Sequence, residues 1–296
     1  MKQWKKLSYY FFIFAFFLLF YISPTAAQTK LEPDCTQQFL ESKCVNNWQQ
    51  ILPELKKAQV VYLGETHDSE VDHQNQLKII QGLYQGNQKI AIAMEMFQAP
   101  YQNIVDQYLT GKITEAELVE QSKYKQRWVF PWEYYAPILR FAKEKGLPVL
   151  ALNTPSEVTR KVARQGLSSL TPRERKFIPP LEEIRTDNQE YRQLVLAAFH
   201  NHQAAGHGNS KGADRFFTAQ VLWDETMAEG ITKFVVAKPS YQVVVLAGKG
   251  HVIYGYGIPS RVKRRLKSIK QRLVLLSVPS QMKVKTEKAI ADFILK

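Results

Sequence analysis

The chain alternates between short, wholly apolar runs and longer stretches whose apolar residues recur every three or four positions. The short runs lie at 60–63, 89–94, 148–152, 242–247 and 273–278, and each is rich in valine, isoleucine, leucine or alanine. Runs of this length, bounded by glycine or polar residues, predict strands buried on both faces. The intervening stretches carry a helical period. Leu77, Ile80, Leu83 and Tyr84 form one such stripe, and Tyr101, Ile104, Val105 and Tyr108 another. Thr114 with Glu117 is a capping box, and so is Thr154-Pro155-Ser156-Glu157, with proline at the first helical position. Further helices are predicted at 48–57, 136–145 (stopped by Gly146), 189–202, 214–229 and 260–269, with an irregular, proline-rich stretch at 168–187. Strands that alternate with helices and are apolar throughout predict an α/β fold. Its core is a mostly parallel β-sheet covered by helices on both faces. The pair of helices at 189–229 is expected as a helical lobe over the strand exits.

Polar residues stand where the strands end. The first run passes into Gly64-Glu65-Thr66-His67, the second ends at Glu95, the third at Asn153, and the fourth at Gly248-Lys249-Gly250-His251. Ligands in open α/β sheets bind outside the carboxyl ends of the strands, so these four exits are the first candidates for chemistry. His67, Glu95 and His251 form a reasonable ligand set for a divalent metal, with Glu65 as base for a bound water. The bland alternative is that all four close strand ends by hydrogen bonding, which any such fold requires. The aromatics Trp128, Phe130, Trp132, Tyr134 and Tyr135 suit either a core or a flat apolar ligand. Tyr254 and Tyr256 follow His251 within five residues, and tyrosine and histidine are both axial ligands to haem iron. His200, His202 and His207, around a glycine-rich insert, are expected to be surface residues or incidental metal binders.

Composition changes this picture mainly at the N-terminus. Lys2, Lys5 and Lys6 precede an apolar run at 7–22 and then Thr25-Ala26-Ala27. That order matches a secretory signal over 1–27, and the run is short of the about 20 residues of a spanning helix. Cleavage and retention as an anchor both remain open. Cys35 and Cys44, the two cysteines of the 296-residue chain, read as one local disulfide in a lead-in at 28–49 ahead of a single domain at 50–296. Removing 1–27, which holds three lysines and no acid, lowers the net charge from +13 to +10. Much of the excess sits in Arg261, Lys263, Arg264, Arg265, Lys267, Lys270 and Arg272. Such a run is either a solvated helix face or an attraction for an anionic partner. A nucleic acid is not expected behind an export signal without a recognition motif.

The segments Gly64-Glu65-Thr66-His67-Asp68, Glu95-Met96-Phe97, Pro131-Trp132-Glu133-Tyr134-Tyr135, Ala151-Leu152-Asn153, the stretch at 219–228 and Gly248-Lys249-Gly250-His251 together resemble the ChaN-type haem-binding, iron-regulated (lipo)protein family. The order and spacing agree over about 50–280. The wider superfamily includes the Tiki metalloproteases and the erythromycin-esterase-like hydrolases. It shares a Gly-x-x-His, a glutamate at the next strand exit and a late Gly-x-Gly-His, so His67, Glu95 and His251 map onto its site. The resemblance implies haem binding linked to haem and iron uptake, often as a homodimer, on an exported and usually lipid-anchored protein. This chain departs at the anchor: Glu32-Pro33-Asp34 before Cys35 does not suit a lipidated cysteine.

The expectation is therefore an exported haem-binding protein. It would be periplasmic, or associated with the membrane on the outer side of the inner membrane. The alternative is a metal-dependent hydrolase using His67, Glu95 and His251. For haem, Trp132, Tyr134 and Tyr135 would supply an apolar wall. Tyr135, Tyr254, Tyr256, His67 and His251 are the candidate ligands or supporting groups, tyrosine being favoured for ferric iron. Glu95 belongs to the same crevice, and Arg261, Arg264 or Arg265 would pair with the propionates.

Overall fold

The computed structural model describes residues 42–203, 210–278 and 288–296. The expected signal segment lies outside them. So does Cys35; Cys44 is disulfide-bonded. Among the described residues no helix is long and apolar enough to cross a membrane.

The seven strands are β1 (Lys43–Val45), β2 (Val60–Glu65), β3 (Ile90–Gln98), β4 (Val149–Asn153), β5 (Gln242–Gly248), β6 (Gln271–Leu275) and β7 (Phe293–Leu295). They form one sheet in the order β1-β7-β6-β2-β5-β3-β4, with every pairing parallel. The principal helices are α1 (Glu70–Gly86), α2 (Gln102–Leu109), α3 (Glu115–Gln121), α4 (Ala136–Lys145), α5 (Ser156–Gln165), α6 (Gln189–Gln203), α7 (Ser210–Ala237) and α8 (Ile258–Arg265).

The two-residue period of a strand sends alternate side chains to opposite faces. Val61 and Leu63 of β2, with Val244 and Leu246 of β5, meet Ile79, Ile80 and Leu83 of α1 and Ile138 and Leu139 of α4. Val60 and Tyr62, with Val243 and Val245, meet Val221, Leu222 and Ile231 of α7, Val158 of α5 and Val262 of α8. Both faces of the sheet are thus covered, and this is why the predicted strands are apolar at every position.

The site is placed by the strand order. From β2 the chain crosses by α1 past β5 to β3, whereas from β5 it crosses by α8 past β2 to β6. Crossovers of one hand running in opposite directions lie on opposite faces of the sheet. A crevice opens between them at the carboxyl ends of the adjacent strands β2 and β5.

The periodicity missed some boundaries. The long helix α7 begins earlier and ends later than 214–229. It lies along the sheet through Val221, Leu222, Ala228 and Ile231, while Gln220 and Asp224, with Tyr191 of α6, reach the exit of β5. Strand β3 does not stop at Glu95 but runs on to Gln98 through a register shift after Met94. The strands β1 and β7 have three residues each, too few to show a period.

Candidate functional site

At the exit of β2, Glu65 is buried at 1% exposure, and both its oxygens are engaged. Oε1 accepts the Tyr135 hydroxyl at 2.6 Å and lies 2.7 Å from Nδ1 of His67. Oε2 accepts the side-chain amide of Gln76 and sits 3.7 Å from Nδ1 of His73. A buried carboxylate needs this saturation, because each oxygen has lost its water. Since a carboxylate only accepts, the His67 proton stands on Nδ1. The His67 ring is held between Trp128, edge-on at 5.0 Å, and Phe130, tilted at 5.0 Å. His73 donates from Nε2 to the carbonyl of His67 at 3.0 Å and stacks on Tyr134 at 4.8 Å. Glycine is required at 248, where a Cβ would stand 2.5 Å from Nε2 of His67.

The neighbouring exit is built on His251, in the turn after β5. Its Nδ1 is 2.6 Å from Oδ1 of Asp224 and 3.0 Å from the Gln220 amide nitrogen, and its Nε2 is 3.4 Å from Oε1 of Glu95. Asp224 accepts the Tyr191 hydroxyl at 2.6 Å through Oδ2, and Oε2 of Glu95 accepts the backbone N–H of Gly248 at 2.8 Å. Burial alone would drive the proton off His251. Glu95 and Asp224, on opposite sides of the ring, outweigh burial and raise its pKa to about 10. Burial likewise opposes charge on Glu95, but His251, His67 and the Gly248 N–H hold its carboxyl down at about 2. The result is an imidazolium between two carboxylates. Asn153 donates to the Glu95 carbonyl at 2.9 Å, so the β4 exit fixes the backbone that presents Glu95.

Four sequence candidates, His67, Glu95, Tyr135 and His251, therefore meet at this crevice, and three do not reach it. Tyr254 and Tyr256 stack on each other at 5.5 Å. Tyr254 lines a hollow with Gln271, Arg272 and Leu273, at the amino end of β6, and Tyr256 packs against Tyr191. Tyr135 is at the crevice but fully buried, its hydroxyl donated to Glu65. Burial and the Glu65 charge push its pKa well up, which disfavours a tyrosinate there. Arg261 is buried against Glu225 at 3.3 Å and donates to the carbonyls of Tyr256 and Gly257, so it is not presented to a propionate.

The expected metal set is not assembled either. Among the described residues no group of three or more His, Cys, Asp or Glu side chains is placed to hold a metal ion. His251 is instead paired on both sides, with Asp224 at 2.6 Å and Glu95 at 3.4 Å, and Nδ1 of His67 meets Glu65 at 2.7 Å. His207 lies outside the described residues, as do the side chains of His200 and His202.

Solvent meets the crevice over an apolar rim. Val129, between the two aromatics that hold His67, is 44% exposed, and Val71 at the start of α1 is 63% exposed. Phe130, Trp132 and Tyr134 are half-buried beside them. Isolated exposed apolar residues need no explanation, but these cluster with a row of aromatics at the strand exits. A family model described as "Haem-binding uptake, Tiki superfamily, ChaN" matches residues 51–262. The chain belongs to this family. Among solved structures it resembles ChaN of Campylobacter jejuni, whose structure is described by cofacial haem binding. The TM-score is 0.63 at 21% identity, covering 82% of this chain and 90% of that one. A looser likeness, with a TM-score of 0.48 at 14% identity, is to an erythromycin esterase mutant, over 77% of this chain and 72% of that one. Protein RETICULATA-RELATED 5, chloroplastic, of Arabidopsis thaliana is 27% identical over 262 residues; these are 83% of this chain but 34% of that protein. The chain thus spans about a third of the length of this curated relative.

Within the ChaN family frame, the polar residues that sequence reading left without a role become legible. Gln220 and Asp224 are four apart on α7, and both face His251. Asp72, His73 and Gln76 are buried polar residues on α1. A polar residue interrupting a buried helical stripe was the available signal for each.

Proposed function

We propose that this ChaN-family chain binds haem at the carboxyl ends of β2 and β5 and that it handles haem outside the cytoplasm, in haem and iron uptake. The observation that carries the site is the placement of His67. Of the histidine and tyrosine candidates for iron, it alone combines a position in the crevice with contact to the partly exposed aromatic loop. His251 is enclosed between two carboxylates, Tyr135 is fully buried, Tyr254 lines the hollow at the amino end of β6, and Tyr256 is buried against Tyr191. The residues present fit the group. His67 would hold the iron, with Nδ1 donated to Glu65, an arrangement that raises the basicity of a ligating imidazole. Val71, Val129, Phe130 and Tyr134 would face the porphyrin. When bound, haem supplies an iron centre to be carried. The chain's own work is to bind the flat apolar ring, exclude water from one side of it and hold the proton on Nδ1 of His67.

The disulfide at Cys44 and the signal-like residues 1–27 support export. A second copy on the apolar rim and a membrane surface are further expected partners. Haemin titration under non-aggregating conditions tests the reading. Saturable uptake with a Soret band shifted from that of free haemin is expected, weakened about tenfold or more in Val129→Asp, which puts a charge against the ring. Absence of saturable uptake by the parent protein would overturn it. Fractionation of cells producing the full chain tests the export reading, which fails if the protein is recovered from the cytoplasm with two free thiols.

A further inference from the structure

The basic run at 261–272 divides in the fold. Arg261, Arg264 and Arg265 turn inward onto Glu225, which is completely buried. Arg264 approaches Glu225 at 2.7 Å, Arg265 at 2.8 Å and Arg261 at 3.3 Å, and Arg265 also meets Glu183 at 2.8 Å. Guanidinium groups gathered around a buried carboxylate make a structural network that engages these three arginines.

Lys263, Lys270 and Arg272 point the other way. They line a groove of about 740 Å³ at the amino ends of β2 and β6, together with Lys57 and Lys288. An adjoining hollow of about 530 Å³ shares Gly255, Pro259, Gln271, Arg272 and Lys288 with it, so the two are continuous. This surface lies at the opposite end of the sheet from His67. Its acidic residues are already engaged. Glu54 pairs with Lys57 at 2.6 Å and Arg272 at 3.6 Å, and Asp292 accepts the backbone N–H of Leu273 at 2.7 Å. Among the described residues, neither Lys263 nor Lys270 meets a carboxylate within salt-bridge distance; Lys263 donates to the carbonyl of Ile269 at 3.2 Å. The potential of like charges adds up in a concave setting. Burial already lowers the pKa of Lys288, against the pull of Glu190, as expected where a cation shares a confined space.

We propose that this groove binds a phosphate-bearing anion through Lys263, Lys270 and Arg272, as a second ligand site independent of the haem crevice. The excess of cations over free carboxylates exceeds what one carboxylate ligand would balance. It matches phosphate, which carries about −1.5 to −2 charges per monoester group near neutral pH. The volume falls in the usual range of small-molecule sites, about 300–1,000 Å³. Arg272 supplies a planar fork and the lysines point charges, the combination that phosphate groups use. A soluble phosphate compound and a phospholipid headgroup share this chemistry.

The test uses the full chain and two probes, inorganic pyrophosphate by calorimetry and vesicles of phosphatidylglycerol against phosphatidylcholine by co-sedimentation. The variant Lys263→Gln/Lys270→Gln alters exposed side chains only, so a parent-like thermal melt and unchanged haemin uptake are expected of it. Saturable pyrophosphate binding that the variant weakens about tenfold or more would support the site and a soluble ligand. Binding confined to phosphatidylglycerol vesicles and lost in the variant would support the site and a headgroup. The proposal is overturned if neither probe binds the parent protein, or if binding is the same in the variant. Haemin uptake is read separately, so failure here leaves the haem reading standing, and the reverse also holds.

Discussion

Two histidines stand at adjacent strand exits, each against a buried carboxylate, yet their surroundings assign them different work. His251 is 4% exposed, clamped between Asp224 and Glu95, and its pKa is raised to about 10. His67 meets Glu65 at 2.7 Å, and Trp128 and Phe130 pack on its ring beside the exposed Val129. The contrast shows how one motif type, a histidine shortly after a strand, yields an enclosed ion pair in one place and, in the reading proposed above, a ligand-facing imidazole in the other. What differs is the surroundings. The His251 imidazolium, fixed on both sides, ties helix α7 to strands β3 and β5, whereas the His67 ring is packed by the aromatics at 128 and 130.

The largest effect should come from breaking the buried ion pair. Asp224→Ala removes the nearer of the two carboxylates that hold the His251 charge, and the acceptor of the Tyr191 hydroxyl; loss of one member of a buried pair is worth about 3–5 kcal/mol. Urea unfolding should report that loss. Adding His251→Ala to Asp224→Ala should cost less than the sum of the two single losses, because the Asp224–His251 interaction is lost only once. Additive losses would mean that the two side chains are not coupled.

Stability should also follow pH in a way that His251 and Glu95 dictate. The pKa of His251 is raised from its ordinary 6.5 to about 10, so its contribution is full below 6.5 and is lost as pH rises through about 10. The pKa of Glu95 is lowered from 4.5 to about 2, so its contribution is full above 4.5 and is lost as pH falls towards 2. The joint contribution is therefore greatest between pH 4.5 and 6.5. Denaturation midpoints measured from pH 3 to 10 should fall on both flanks, at about the rate of this pair, and His251→Ala should flatten the alkaline flank. An alkaline flank that survives the replacement would assign it to other groups.

Much of this contrast was legible in the chain. Each polar exit residue follows a run apolar at every position, so Glu65, His67, Glu95, Asn153 and His251 could be placed at one end of a parallel sheet without coordinates. Their separate roles could not, because these depend on Asp224 and Tyr191, distant in sequence and brought in by helices α6 and α7. Tyr254 shows a different limit. Three residues beyond His251, it adopts a left-handed backbone with φ of 55°, and the chain turns back along the sheet towards the amino end of β6. Proximity in sequence to a site residue did not survive that turn. The basic run failed as a single signal for the same reason. Helical periodicity assigned Arg261, Arg264 and Arg265 to Glu225 and left Lys263 on another face.

A smaller effect sharpens the His67 side of the comparison. Gly248→Ala would place a methyl group against Nε2 of His67, a contact too close to keep. Overpacking of this kind costs about 1–3 kcal/mol, and the imidazole must shift. Haemin uptake should weaken although no haem-facing residue has changed. Uptake equal to that of the parent would mean that the position of His67 is immaterial.

The account turns on which histidine faces the iron, and a ferric haem spectrum reads this directly. The absorption spectrum of the haemin complex should be recorded for the parent, His67→Ala, His251→Gln and Tyr134→Phe, each after a folding check by circular dichroism. The expected result is loss or displacement of the parent Soret and charge-transfer bands in His67→Ala, with both preserved in Tyr134→Phe and in whatever fraction of His251→Gln remains folded. A parent spectrum in His67→Ala, together with its loss in Tyr134→Phe or in folded His251→Gln, would contradict the account.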